Sequence, residues 1–180
     1  MKFIEQKLPG VFIIQPEPYA DHRGMFRRQF CQREFAKNGI DIDIRQTNIS
    51  ENTARYTLRG FHYQKPPHLE GKLITCIAGA FYDIVVDLRP ESPTYLQWIS
   101  LELNTENRFS VYVAPGCANA YLTLMDNTWL HYSHAEFYTP GSEGGIRYND
   151  PLFNFTWPHP HAVISDKDKV HPDYVPVKKA

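Results

Sequence analysis

The sequence lacks the features that would place it in a membrane, a secreted disulfide scaffold or a glycine-rich nucleotide fold. Its longest apolar stretch, Ile74 to Tyr82, is interrupted by Thr75 and Gly79. That falls far short of the about 20 residues a membrane-spanning helix takes. The chain begins MKFIEQKLPG, where Glu5 and Lys7 intervene before the apolar core of a signal peptide can form. The three cysteines, Cys31, Cys76 and Cys117, are odd in number, widely spaced and without a CxxC pair. They read as reduced thiols, so a cytoplasmic location is expected. No internal repeat, low-complexity run, GxGxxG or P-loop is present. Charge of one sign is missing too: 19 Lys+Arg against 20 Asp+Glu give a net charge of -1. Non-specific nucleic-acid binding needs clustered positive charge, so a nucleic-acid partner is not expected.

What is present points to one β-rich domain over residues 1–180. A chain of 180 residues, 42% hydrophobic, can build one core and is too short for two ordinary domains. Eleven Tyr and 11 Phe exclude disorder, and 14 prolines argue against a bundle of long helices. Trp98 to Leu103 alternates, with Ile99, Leu101 and Leu103 on one face. Tyr82 to Leu88 alternates as well, setting Tyr82, Ile84, Val86 and Leu88 against Asp83, Val85 and Asp87. Further strands are predicted over 11–15, 24–30, 44–49, 58–64, 72–78, 108–113, 120–125 and 128–137. Turn signals such as Lys65-Pro66-Pro67 and Ala114-Pro115-Gly116 separate them. One short helix is predicted from Gln32 to Asn38, capped by Gly39. Short strands without βαβ alternation imply an antiparallel sandwich or barrel. Val175 to Ala180 reads as a loose tail.

Several strands carry polar groups that a core strand does not need. Arg59 and His62 lie in LRGFHYQ, Lys72 begins an apolar strand, and Asp83 sits within FYDIVV. The segment TWLHYSHAEF puts Tyr132 and His134 on one face and His131 on the other. Each has an ordinary structural explanation as a satisfied or solvated polar group. In a barrel, however, inward polar groups line a cavity. A metal-binding cupin would need His-x-His, and here the run reads His62-x-Gln64. It would also need a histidine after the Pro-Gly turn, where Asn119 stands. Three or four ligands are required and these places supply one histidine, so no metal is expected. His22, His68, His159, His161 and His171 stand beside prolines or charges and read as surface residues. Metal-free His, Tyr, Lys and Asp suggest proton transfer next to a carbonyl. His62 fits a base working near neutral pH. Lys72 or Arg59 would stabilise the enolate oxygen, and a tyrosine such as Tyr132 would return a proton from the other face.

The ordered segments Asp21-x-Arg23-Gly24-x-Phe26, Gln46-Thr47-Asn48-x-Ser50, Leu58 to Gln64, Gly71-Lys72-Leu73, Val86-Asp87-Leu88-Arg89, Glu143-Gly144, Asn149-Asp150, Trp157-Pro158 and Ser165 to Asp168 resemble dTDP-4-dehydrorhamnose 3,5-epimerases. The resemblance runs from about residue 10 to residue 170. It implies an all-β, cupin-type antiparallel jelly roll, a homodimer and no metal or organic cofactor. The implied substrate is a nucleoside-diphosphate 4-keto-6-deoxy sugar, whose ketone acidifies the protons at C3 and C5. By resemblance, His62 is the general base, Asp168 orients it, Tyr132 is the opposite proton donor and Lys72 lies near the C4 oxygen. Arg23, Phe26, Gln46, Asn48, Arg59, Glu143 and Lys167 match substrate-binding positions, and Tyr138 falls where an aromatic ring stacks on the base. Asp83 matches a carboxylate beside the active site.

Three positions depart from the family pattern. Arg28 replaces a glutamate, Asn119 a substrate-contacting histidine, and Ser133 the lysine that usually follows the tyrosine. A carboxylate suits the N3–H donor of thymine, whereas an arginine suits the acceptors of cytosine. A dTDP-linked and a CDP-linked sugar therefore both stand open, as does inversion at C3, C5 or both. The alternatives from other classes are a non-catalytic nucleotide-sugar-binding cupin and a metal-dependent cupin enzyme. Retention of His62, Asp168 and Tyr132 favours the epimerase over the binding protein.

Overall fold

In the computed structural model, which describes residues 1–177, the chain folds almost entirely into short strands. The elements in order are β1 (Lys2–Glu5), β2 (Phe12–Gln15), β3 (Tyr19–Asp21), β4 (Gly24–Phe26), α1 (Gln32–Lys37), β5 (Gln46–Asn52), β6 (Thr57–Gln64), β7 (Lys72–Ala78) and β8 (Ala80–Asp87). There follow β9 (Trp98–Asn104), β10 (Ser110–Val113), β11 (Cys117–Thr123), β12 (Thr128–His134), β13 (Glu143–Gly145), β14 (Val163–Ile164) and α2 (Asp166–Lys169). One sheet runs β1-β2-β10-β7-β12-β5; the other runs β13-β6-β11-β8-β9, with β14 beside β6. Every pairing is antiparallel except β14 with β6. The sheets pack as a jelly roll, and β3–β4 forms a separate hairpin.

Alternation along β8 explains how the two-sheet packing arises. Phe81 and Val85 enter the main core with Ile74, Cys76, Val111 and Leu130. Ile84 and Val86 face the other way, joining Phe61, Ala118 and Ala120. That second face would be wet in a bare sandwich. Phe153, Phe155, Trp157 and Tyr174 of the C-terminal segment cover it instead. Burying both faces explains why β8 and β11 are buried along almost their whole length, with Asp83, Asp87 and Asn119 as polar exceptions to their apolar character. Burial of each large side chain contributes about 1.5–3 kcal/mol.

The strand predictions hold in place with shifted ends, and β7 falls on its predicted bounds. The strand expected over 24–30 stops at Phe26. Beyond it, Gln29 turns inward to Thr75 and Ser110, and Phe30 packs on Phe35. The strand expected to reach Phe137 stops at His134, because Tyr138 and Thr139 are drawn to Gln46 and Gln64 at the barrel rim. The predicted helix ends at Lys37, with Asn38 as cap and Gly39 at φ 77. Short β1, β13, β14 and α2 had no pattern long enough to announce them. Cys76 and Cys117 are buried, which pushes their thiols up to about 11 and about 12. Among the described residues no helix is long and apolar enough to cross a membrane. The tail expected from Val175 reaches Lys178 to Ala180, which lie outside the described residues.

Candidate functional site

A cavity of about 1240 Å³ opens between the sheets, lined from both. β6 brings His62 to one wall. Its Nε2 lies 2.7 Å from Asp168 Oδ1, across 106 residues of sequence. Asp168 belongs to α2, whose N-cap Ser165 accepts a hydrogen bond from the Asp168 amide. The parallel pairing of β14 with the start of β6, Val163 opposite Thr57 and Ile164 opposite Leu58, delivers this turn to the site. The Gly60 amide donates to Asp168 Oδ2 at 3.2 Å. Gly60 takes φ 111, and a Cβ there would lie 2.7 Å from the Asn119 carbonyl, so glycine alone permits this approach. Asp168 is nearly buried, which opposes its charge. The hydrogen bonds from His62, Gly60 and Ser165 outweigh that penalty and hold its pKa below the ordinary carboxylate value. An ionised Asp168 can only accept, so Nε2 keeps its proton and donates it in a hydrogen bond to Asp168, which leaves Nδ1 as the lone-pair nitrogen.

A chain of polar groups lies beneath His62. Lys72, nearly buried, donates to the His62 carbonyl at 2.9 Å and to Asn119 Oδ1 at 3.3 Å. Asn119 in turn donates to Asp83 Oδ1 at 3.1 Å. Asp83 is fully buried, and its Oδ2 has no partner. Burial pushes its carboxyl up to about 7, against the opposing pull of Asn119 and Lys72. Asn119 thus spends its polar atoms linking Lys72 to Asp83. Glu70, which the sequence did not single out, lies 3.3 Å from Lys72 Nζ and 3.0 Å from His134 Nδ1. Burial works against its charge, but His134 and Lys72 hold its pKa low.

The opposite wall comes from β12. Tyr132 and His134 share the inward face, as alternation predicts, and their rings stack at 5.7 Å. His131 points away from the cavity lining. Burial drives the Tyr132 phenol well above its ordinary pKa, and nearby Tyr121 and Asp83 add to the shift, so the group stays protonated. Tyr121, a second residue the sequence did not flag, shares a hydrogen bond with Ser50 Oγ at 2.8 Å. Arg59 donates to Asn52 at 2.8 Å beside it.

Gln46, Asn48, Arg59, Asn119, Tyr138, Glu143 and Lys167 all line the same cavity. At its rim Lys167 pairs with Glu143 at 3.0 Å, which lowers the Glu143 pKa and raises that of Lys167. Gln64, where a metal-binding cupin would carry its second histidine, is used structurally: it donates to the Phe137 carbonyl and accepts from the Thr139 amide. His171 corrects the reading of it as a surface residue. It lines the cavity with its side chain 14% exposed, 3.6 Å from Asp168 Oδ1, and its Nε2 has no hydrogen-bond partner. The C-terminal segment folds back over β13 and sets the His171 ring against Gly145, a long-range contact that no local sequence pattern announces.

Three expected substrate residues stand outside this cavity. Arg23, Phe26 and Arg28 sit on or just after the β3–β4 hairpin. Arg23 pairs with Asp21, Arg28 pairs with Glu34 at 2.5 Å, and Phe26 is 77% exposed. The hairpin makes no strand pairing with either main sheet, so nothing within one chain turns these side chains inward.

The sequence profile of dTDP-4-dehydrorhamnose 3,5-epimerase matches residues 5–175. The dTDP-4-dehydrorhamnose 3,5-epimerase of Shigella flexneri is 35% identical over 169 residues, covering 93% of each chain. The crystal structure of the Elizabethkingia anophelis enzyme of that name superposes with a TM-score of 0.92 at 33% identity, covering 97% of this chain and 96% of that one. The dTDP-6-deoxy-D-glucose-3,5-epimerase of Legionella pneumophila, crystallised in complex with dTDP-4-keto-L-rhamnose, superposes with a TM-score of 0.87 at 33% identity. That match covers 93% of this chain and 89% of the other.

Proposed function

The chain belongs to the dTDP-4-dehydrorhamnose 3,5-epimerase family, and we propose that His62 and Tyr132 carry out its proton transfers from opposite walls of the cavity. It is an isomerase that epimerises a nucleoside-diphosphate 4-keto-6-deoxy sugar at C3, C5 or both, in deoxysugar biosynthesis. The observation that carries the residue assignment is the placement of a carboxylate-held imidazole on one sheet and a protonated phenol on the other.

The chemistry follows from the substrate's ketone, which delocalises the charge left when a neighbouring C–H proton is removed. Nδ1 of His62 takes the proton, and Asp168 stabilises the imidazolium that forms. Lys72 faces the developing C4 oxyanion. Its positive charge, held within a few ångströms of Glu70 and the Asn119 amide, is fixed before the reaction begins. Tyr132 then gives its proton to the opposite face of the ring carbon, inverting it. Arg59 and Lys167 supply local positive charge for the diphosphate, and Tyr138, exposed at the rim, stacks on the nucleobase.

The working form is a homodimer in this reading. Arg23, Phe26 and Arg28 match substrate-binding positions yet stand on an exposed hairpin with Tyr19 and Met25. Reaching into the neighbouring chain's cavity would cover these apolar side chains and complete the substrate site. Within this reading the nucleotide is dTDP; a CDP-linked sugar is the second reading, favoured by Arg28. Light scattering tests the dimer, and a dTDP and CDP substrate panel in heavy water tests the nucleotide. A monomer with full activity would contradict the first, and activity confined to CDP sugars would overturn the dTDP assignment.

A further inference from the structure

We propose that His62, Asp168 and His171 form a binding site for a borderline-soft divalent ion such as Zn²⁺, and that occupancy switches the enzyme off. Among the described residues these three are the one group of three or more His, Cys, Asp or Glu side chains placed to ligate a metal. Their donor atoms all lie within 4.8 Å of one another. His62 Nε2 is 2.7 Å and His171 Nε2 3.6 Å from the same Asp168 oxygen. Zinc bonds of about 2.0–2.2 Å to nitrogen and oxygen place neighbouring ligands about 3–3.6 Å apart. Asp168 and His171 are already near that spacing. The correction falls on His62, whose side chain is 48% exposed and free to adjust.

His171 has an unspent nitrogen. Its Nε2 is buried without a hydrogen-bond partner, and the Asp168 carboxylate at 3.6 Å returns only part of the desolvation that burial costs. A metal ion would satisfy it. Two imidazoles and one carboxylate suit zinc, cobalt or nickel and leave coordination positions open towards the cavity. The same donors are a poor match for magnesium, which prefers oxygen ligands and retains its waters.

The inhibitory consequence comes from the tautomer and rests on His62 being the base. In the metal-free dyad Nε2 carries the proton and donates a hydrogen bond to Asp168, and Nδ1 holds the lone pair. An ion on Nε2 displaces that proton. The one proton of the neutral ring then sits on Nδ1, which turns the accepting nitrogen into a donor. Asp168 is simultaneously withdrawn from its orienting role.

The test is calorimetric titration of the EDTA-treated full-length protein with Zn²⁺ and with Mg²⁺, repeated on His171→Ala and His171→Gln. One zinc per chain and no magnesium are expected, with affinity weakened about tenfold or more in both variants. Visible d–d bands on Co²⁺ addition, abolished by zinc, provide a readout on the parent protein that needs no variant. Unchanged zinc affinity in folded His171 variants, or absent Co²⁺ bands, would overturn the site. Zinc-dependent loss of substrate deuterium exchange is expected in parallel. Binding that depends on His171 but leaves exchange intact would uphold the site and refute the switch, locating the error in the assignment of His62 as base.

Discussion

Replacing Asp168 by asparagine keeps the shape of the dyad and removes its charge. The carboxylate accepts from His62 Nε2 at 2.7 Å and from the Gly60 amide at 3.2 Å. An asparagine that keeps its oxygen on the Gly60 amide turns its NH₂ towards His62. The ring must then accept at Nε2 and carry its proton on Nδ1, the nitrogen that should act as base. Flipping the amide restores the tautomer but sets donor against donor at Gly60, which costs about 1–3 kcal/mol. Loss of the charge-assisted bond that stabilises the imidazolium removes about 1.5–3 kcal/mol more. Together these give about 2.5–6 kcal/mol, a fall in kcat/KM of roughly 10²–10⁴-fold. The assay is deuterium incorporation from heavy water into a dTDP- or CDP-linked 4-keto-6-deoxyglucose, followed by proton NMR. Retention of activity within about tenfold of the parent would refute the orienting role, being below the smallest effect worked. Because the folded pKa of Asp168 is depressed, its contribution to stability is present above the ordinary carboxylate range and fades as pH falls through the folded value.

Tyr132→Phe should retain some exchange at the carbon His62 addresses while product inversion falls; equal retention of both would reassign the donor. Gly60→Ala should lower stability by about 2 kcal/mol or more, since the new Cβ meets the Asn119 carbonyl and the strand cannot yield; thermal melting checks this. Asp83, raised to about 7 in the fold, binds its proton more tightly folded than unfolded. Stability from this group is therefore present below the unfolded value and lost as pH rises towards 7, so Asp83→Asn should gain more in urea denaturation at pH 8 than at pH 5; equal effects at both pH values would contradict it. Arg28→Glu should shift preference towards dTDP substrates, and an unchanged ratio would remove Arg28 from nucleotide recognition. Incubation with EDTA should not lower exchange; a loss restored by added metal would point to metal-dependent chemistry.

How much the sequence revealed depended on whether a signal was local. Alternation placed Asp83 opposite Ile84 and set Tyr132 with His134 on one face, because a strand has a fixed period of two. The same rule marked Arg59 and His62 as out of place on a core strand. It said nothing of the partner of His62, since Asp168 lies on a single helical turn delivered by a two-residue strand. Only the family resemblance supplied that pairing. Glu70, Tyr121 and His171 escaped for a related reason. Glu70 and His134 meet across separate elements, Tyr121 resembles a core aromatic, and His171 enters through an irregular segment. The hairpin residues show the converse: motif matching marked Arg23, Phe26 and Arg28, while the fold of one chain leaves them outside its cavity.

The most direct test is proton exchange at the sugar ring itself. The parent enzyme and His62→Ala are each incubated at high concentration with dTDP- and CDP-4-keto-6-deoxyglucose in heavy water. The parent should place deuterium at C3, C5 or both of at least one substrate, and His62→Ala should place it at neither. No exchange by the parent with either nucleotide, or near-parental exchange by His62→Ala, would contradict the assignment of His62 as the base of a 4-keto sugar epimerase.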